Sequence, residues 1–214
     1  MPLEYEYTFR NYNKKNLIRI IKQNEGYKVG HYIFKVMVFY HPLHENKDGT
    51  YIRVRDEGHR ITMTYKYFNK KKFADEHEIN IDNFDAAVNI LLGIGCKTKY
   101  YYEKLREIWN IKNSEIVFDI NPGMPERMEV ESPTLKELDS LINKLDILEF
   151  KVNGRETSIS EELYGFKFPK NLSTLTFLNV KKHLLPLATK NKSDFIKLIN
   201  KQKKLYLKVL NSIK

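Results

Sequence analysis

Charged residues recur at every second position in four short stretches of this chain: Glu4-Tyr5-Glu6, Arg53-Val54-Arg55, Glu76-His77-Glu78 and Glu129-Val130-Glu131. Alternate residues of a β-strand share a face, so each pair sets two like charges side by side, where they repel unless something opposes them. The carboxylates at 4, 6, 76, 78, 129 and 131, joined by Asp119 in the strand-like Ile116-Val117-Phe118-Asp119-Ile120, supply the oxygen ligands that a hard divalent cation takes. Arg53, Arg55, Lys66, Lys104 and Arg106 supply N–H donors suited to phosphate oxygens. Isolated buried charges lose several kcal/mol of hydration, so strands with an ionic face line a wet tunnel more readily than a closed core. Together the two sets complement a metal–polyphosphate complex. Taken singly, each pair also fits an ordinary strand with cross-strand ion pairs.

Several elements must position these groups. Asn13 to Glu25 reads as a helix capped by Asn13 and ended by Gly26, with Leu17, Ile18, Ile20 and Ile21 as its apolar side. His31 to Tyr40 reads as a strand, followed by a Pro42-containing loop through Asp48-Gly49, and Asp56-Glu57-Gly58-His59 turns the next hairpin. Phe84 to Leu92 and Thr134 to Leu145 read as further helices, capped by Asp82 or Asn83 and opened by Ser132-Pro133. The six histidines show no zinc-type spacing, and Tyr100-Tyr101-Tyr102 reads as packing around strand and loop.

The ordered motifs resemble the CYTH family, the triphosphate tunnel metalloenzymes that include class IV adenylyl cyclases, thiamine triphosphatases and inorganic triphosphatases. Glu4-Tyr5-Glu6 is similar to the family's Glu-x-Glu-x-Lys opening, and Tyr51 to Gly58, Ile61 to Lys66, Glu76-His77-Glu78 and Glu103-Lys104-Leu105-Arg106-Glu107 follow in the family's order. Asp119, Pro122-Gly123-Met124-Pro125 and Met128-Glu129-Val130-Glu131 resemble its late acidic strand, and Leu175-Thr176-Phe177 a common ending. One position departs: Thr8 stands where the family has lysine, and Arg10, two residues on, is in phase to replace it.

The resemblance implies an α+β fold, an eight-stranded antiparallel β-barrel tunnel with helices packed outside, over residues 1–180. It implies a phosphohydrolase acting, with Mg²⁺ or Mn²⁺, on inorganic triphosphate, a nucleoside or thiamine triphosphate, or an RNA 5′-triphosphate. A class IV cyclase making cyclic AMP and pyrophosphate, or a non-catalytic polyphosphate or nucleotide binder, are the alternatives. Glu4, Glu6, Lys66 and Arg106 are the expected catalytic groups. Arg10, Arg53, Arg55, Lys66, Lys104 and Arg106 are the expected phosphate grip, and Glu4, Glu6, Glu76, Glu78, Asp119, Glu129 and Glu131 the metal set.

The 214 residues, 42% of them hydrophobic, suffice for one sizeable core, and the single Cys96 excludes an internal disulfide. No apolar run reaches the length of a membrane span and no signal peptide is evident, so a cytoplasmic setting is expected. Residues 181–214 form a separate basic, amphipathic helical extension in this reading. Its ten lysines against the single acid Asp194 supply nearly all of the formal charge of +10. The lysine face reads either as the solvated side of a packed helix or as a surface for RNA or another polyanion.

Overall fold

The computed structural model describes residues 5–41, 50–68, 74–152, 156–169 and 171–212. Glu4 and the loop expected around Pro42 and Asp48-Gly49 lie outside these residues. Eight strands form one antiparallel sheet: β1 (Tyr5–Phe9), β2 (Tyr27–Phe39), β3 (Tyr51–Asp56), β4 (Ile61–Phe68), β5 (Ala74–Ile81), β6 (Thr98–Ile111), β7 (Ser114–Ile120) and β8 (Arg127–Ser132). Their spatial order is β1-β8-β7-β6-β2-β3-β4-β5, which leaves β1 and β5 as the ends of the path among the described residues. A short strand that sequence patterning did not anticipate, β9 (Thr174–Leu175), runs parallel to β6.

Local chemistry sets the helix boundaries. In α1 (Lys14–Gln23) and α2 (Phe84–Gly93) the side chains of Asn13 and Asn83 accept the first free backbone N–H groups, those of Asn16 and Ala86. In α3 (Leu135–Leu145) Thr134 accepts from Glu137 N and also donates to the Glu137 carboxylate, so one pair of side chains fixes the first turn. Two helices escaped the sequence reading, α4 (Glu156–Tyr164) and α5 (Val180–Leu184). Both are short, and neither carries a long apolar period. The final helix, α6 (Lys192–Ser212), lies where the amphipathic lysine-rich pattern places it.

Helices α1, α2, α3 and α6 pack on one face of the sheet. Phe9, Trp109, Ile116, Phe118, Met128 and Val130 from the strands meet Leu17 and Ile21 of α1 and Leu138, Ile142 and Leu145 of α3. Further along, Phe39 and Val54 meet Ala87 and Leu91 of α2, while Ile33 and Leu105 meet Tyr206 and Val209 of α6. Burying each such side chain contributes about 1.5–3 kcal/mol. The apolar face of the sheet is therefore the outside of the strand layer, under the helices, and its other face is free to be ionic.

α6 is also tied to the sheet by polar contacts. Buried Gln202 accepts from Gly123 N at 2.9 Å and donates to Met124 O at 2.6 Å, which fixes the turn between β7 and β8. Glu103 of β6 accepts from Tyr206 Oη and from Phe177 N. Among the described residues no helix is long and apolar enough to cross a membrane.

Candidate active site

The ladder registers carry one face across all eight strands. Glu6 and Thr8 of β1 lie opposite Glu131 and Glu129 of β8, and Glu131, Glu129 and Arg127 lie opposite Glu115, Val117 and Asp119 of β7. Asp119 opposes Arg106 of β6, and Lys104 opposes Phe34 of β2. From there Val36 and Val38 oppose Arg55 and Arg53, which oppose Thr62 and Thr64. Thr64 and Lys66 oppose Glu78 and Glu76. Since opposed residues in a ladder share a face, the alternation seen in the sequence is an ionic face opposite the helix-covered one.

Asp119, fully buried, is the hub of the first cluster. It accepts from Lys104 Nζ at 2.9 Å and from Arg106 Nε and Nη2 at 2.7 and 2.6 Å, and Arg127 Nη2 lies 3.5 Å away. Glu129 takes the remaining reach of Arg106 and Arg127, at 3.0 and 2.9 Å. Burial by itself would raise the Asp119 carboxyl, but Lys104 and Arg106 outweigh it and hold the group well below the usual carboxylate range. Burial pushes the Lys104 ammonium down to about 8 against the pull of Asp119. For Arg106 burial works downward too, yet its bonds to Asp119 leave it raised and permanently charged.

The second cluster comes from β3, β4 and β5. Arg53 Nη2 reaches Glu76 at 3.5 Å and Glu78 at 3.6 Å, Arg55 reaches Glu78 at 3.5 Å, and Lys66 Nζ reaches Glu76 at 3.0 Å. Arg55 also pairs with Glu57. The two clusters meet over one ring: Arg55, Lys104 and Arg106 stand 5.8, 5.3 and 5.4 Å from the centroid of buried Phe34. Cation–π attraction offers each a partial partner while leaving its hydrogen-bonding front free for another. Burial and the neighbouring Arg53 depress the Arg55 guanidinium, a sign that positive charge is crowded here.

At the β1, β7 and β8 side the crowding is negative. Glu6 and Glu115 both oppose Glu131. Burial, followed by Glu129, raises the Glu6 carboxyl, and burial likewise raises Glu115. Among the described residues no three acidic or imidazole side chains are drawn together tightly enough to hold a metal as they stand. The donors are nevertheless all carboxylates on adjacent strands of one face, two of them raised chiefly by burial. That chemistry fits a hard divalent cation.

The structure thus brings together Glu6, Arg53, Arg55, Lys66, Glu76, Glu78, Lys104, Arg106, Asp119, Glu129 and Glu131 on one face. Thr8 shares that face opposite Glu129. Arg10 lies just past β1, buried, with its backbone N bonded to Phe150 O and its charge felt by Tyr12. Sequence reasoning missed Arg127 and Glu115. Both were findable by extending an alternation backward, two residues from Glu129 to Arg127 and four from Asp119 through Val117 to Glu115. Phe34, by contrast, carries no polar signal.

A CYTH domain model matches residues 4–156. The chain belongs to the CYTH domain family. No curated protein sequence matches it. Among solved structures, a protein from Vibrio parahaemolyticus provisionally named an adenylate cyclase superposes with a TM-score of 0.61 at 17% identity, covering 74% of this chain and 97% of that one. The PH1012 protein from Pyrococcus horikoshii superposes with a TM-score of 0.57 at 18% identity, covering 72% of this chain and 97% of that one. These likenesses show the CYTH tunnel fold. Most of α4, together with α5 and α6, lies beyond the family match.

Proposed function

We propose that this CYTH protein is a divalent-metal-dependent phosphohydrolase that holds a triphosphate on the ionic face of its sheet. The observation that carries this reading is the convergence of Arg55, Lys104 and Arg106 on Phe34, with Arg53, Lys66 and Arg127 beside them. Such a density of guanidinium and ammonium groups, each held by carboxylates that an anion can replace, suits a ligand with several closely spaced negative charges. Arg53, Arg55, Lys66, Lys104 and Arg106 grip and align the phosphates. Asp119 and Glu129 orient Arg106 and Arg127 and keep the guanidinium planes aimed before the ligand arrives. Glu6, Glu115, Glu129 and Glu131 would hold Mg²⁺ or Mn²⁺, which when bound neutralises phosphate charge and lowers the pKa of a water.

Incubation with inorganic triphosphate, ATP and thiamine triphosphate in the presence of Mg²⁺ or Mn²⁺, with products separated by chromatography, tests this. Metal-dependent release of orthophosphate is the expected result. Cyclic AMP with pyrophosphate would assign cyclase chemistry instead. Tight binding without turnover would make the chain a binder, the alternative that Thr8 in place of lysine raises.

A further inference from the structure

A helix lying on a sheet keeps charged residues on its outer side, and α1, α3 and α6 do so. α1 exposes Lys15, Arg19 and Lys22, α3 exposes Lys136, Asp139 and Lys144, and α6 exposes its lysines. α2 differs. Of its ten residues only Asp85 and Asn89 are polar, the pattern of a helix covered on both sides. Ala87 and Leu91 meet Phe39 and Val54 of the sheet, yet Ile90, Leu92 and Ile94 are 65%, 45% and 67% exposed. Ile79 of β5, whose ladder partner Met63 packs against the same cluster, is 55% exposed as well. One exposed apolar residue needs no explanation, whereas a group of them around one helix marks a contact surface.

The face is complementary to a second copy of itself. Ala86, Ile90 and Ile94 follow at intervals of four and so share one side of the helix. When two copies of α2 lie antiparallel with Ile90 against Ile90, Ile94 of each copy falls on Ala86 of the other, a large side chain on a small one. The charges favour the same arrangement. Asp82 and Asp85 stand exposed at the start of α2, with no ion-pair partner among the described residues, and Lys97 is exposed just past its end. Antiparallel packing brings the acids of each copy to Lys97 of the other, while parallel packing sets acid against acid. An anionic membrane would be repelled by the same two acids.

We propose that the outer face of α2 is the contact through which two copies of this chain pair, antiparallel, about a two-fold axis near Ile90. A helix of this length spans about 15 Å, so the pair buries less than the standard interface of about 1,200 Å² or more and associates reversibly. The proposal is independent of the triphosphate reading, because α2 lies on the opposite side of the sheet from Arg53 and Arg55.

Sedimentation equilibrium of the full chain, from about 1 to about 100 μM, tests this. The wild type should pass from monomer to dimer within that range. Ile90→Lys, checked for folding by thermal unfolding, should raise the dimer Kd at least about a hundredfold, and Ile94→Lys serves in its place if it does not fold. Asp85→Lys and Lys97→Glu should each weaken the dimer about tenfold, and the two combined should pair more tightly than either alone, since the swap restores opposite charges across the axis. A wild type that stays monomeric throughout overturns the proposal and leaves the face to a different partner. A dimer indifferent to the lysine substitution places the contact elsewhere and overturns it too. A combined variant no tighter than the single ones overturns the antiparallel arrangement.

Discussion

Replacing Asp119 by Asn tests whether this carboxylate's first task is to neutralise the clamp. In the native chain it sits fully buried among Lys104, Arg106 and Arg127, at distances of 2.6 to 3.5 Å. Breaking a buried ion pair by removing one partner costs about 3–5 kcal/mol, because the surviving charge is left uncompensated. Glu129 still serves Arg106 and Arg127 after the substitution, which places the cost near the lower end, about 3 kcal/mol. For a chain of this size each kcal/mol shifts Tm by about 2–4 °C, so unfolding should occur about 6–12 °C lower. The loss should narrow in acid. A carboxyl whose native pKa is depressed stabilises the fold above its unfolded pKa and loses that contribution as pH falls toward the native value, so wild type and variant converge. Triphosphate supplies the missing negative charge, so its affinity for Asp119→Asn, with metal chelated, should rise about tenfold, adding about 1.4 kcal/mol to ligand stabilisation. Differential scanning calorimetry with and without inorganic triphosphate reads both effects. A variant melting within 2 °C of wild type and gaining no more from triphosphate would refute the reasoning; the carboxylate would then act chiefly elsewhere, as on a metal.

Glu131→Gln removes a charge from the acidic side with little change of shape, and should lower metal-dependent turnover by about two orders of magnitude and weaken Mn²⁺ binding while the fold survives; wild-type metal affinity would count decisively against it. Lys104, with its ammonium pushed down to about 8, should be cationic below that pH and neutral above it, so kcat/KM should decline as pH rises past about 8. Lys104→Arg should move that alkaline limb upward, and a profile identical in both proteins would exclude Lys104 as its source. Gln202→Leu strands the buried Gly123 N and Met124 O and should cost about 2 kcal/mol in urea unfolding. It should also weaken triphosphate binding, because residues 121–126 join Asp119 to Arg127; a change below about 0.5 kcal/mol would show the turn to be held by its apolar contacts alone.

The ionic face was legible because a period of two is a property of the backbone, and like charges repeated at that period need an external reason. Arg53-Val54-Arg55 and Glu129-Val130-Glu131 announced both their strands and their facing, and Asn13 marked a helix start by a single local hydrogen bond. What the sequence left unread was decided by tertiary neighbours. Gln202 looks like one more polar residue of a lysine-rich helix until the turn at Gly123 comes beneath it. The side chain of Phe34 reads as core, and it is core, yet three cations gather over its ring because β3 and β6 flank β2. Glu103 and Glu107 sit in the same strand as Lys104 and Arg106 but on the opposite face, where Tyr206, Phe177, Trp109 and Lys14 occupy them.

Inversion of the usual sheet, apolar side outward under helices and charged side inward, has an energetic consequence for binding. The apolar contacts with α1, α2, α3 and α6 hold the strands in place without help from the ionic face. That face can then be arranged for a ligand rather than for stability, since its ion pairs roughly offset their own desolvation. Every cation of the clamp already has a carboxylate, so an incoming anion gains only by the difference between its charge density and theirs. A monoanion offers too little to displace Asp119 from two arginines and a lysine; a triphosphate, touching several of these cations at once, offers enough. The same exchange would release carboxylates such as Glu129 and Glu78 from their arginines. Freed carboxylates beside a newly bound polyphosphate are what a divalent cation needs, so ligand and metal should bind with positive coupling, each raising the affinity for the other by the same factor.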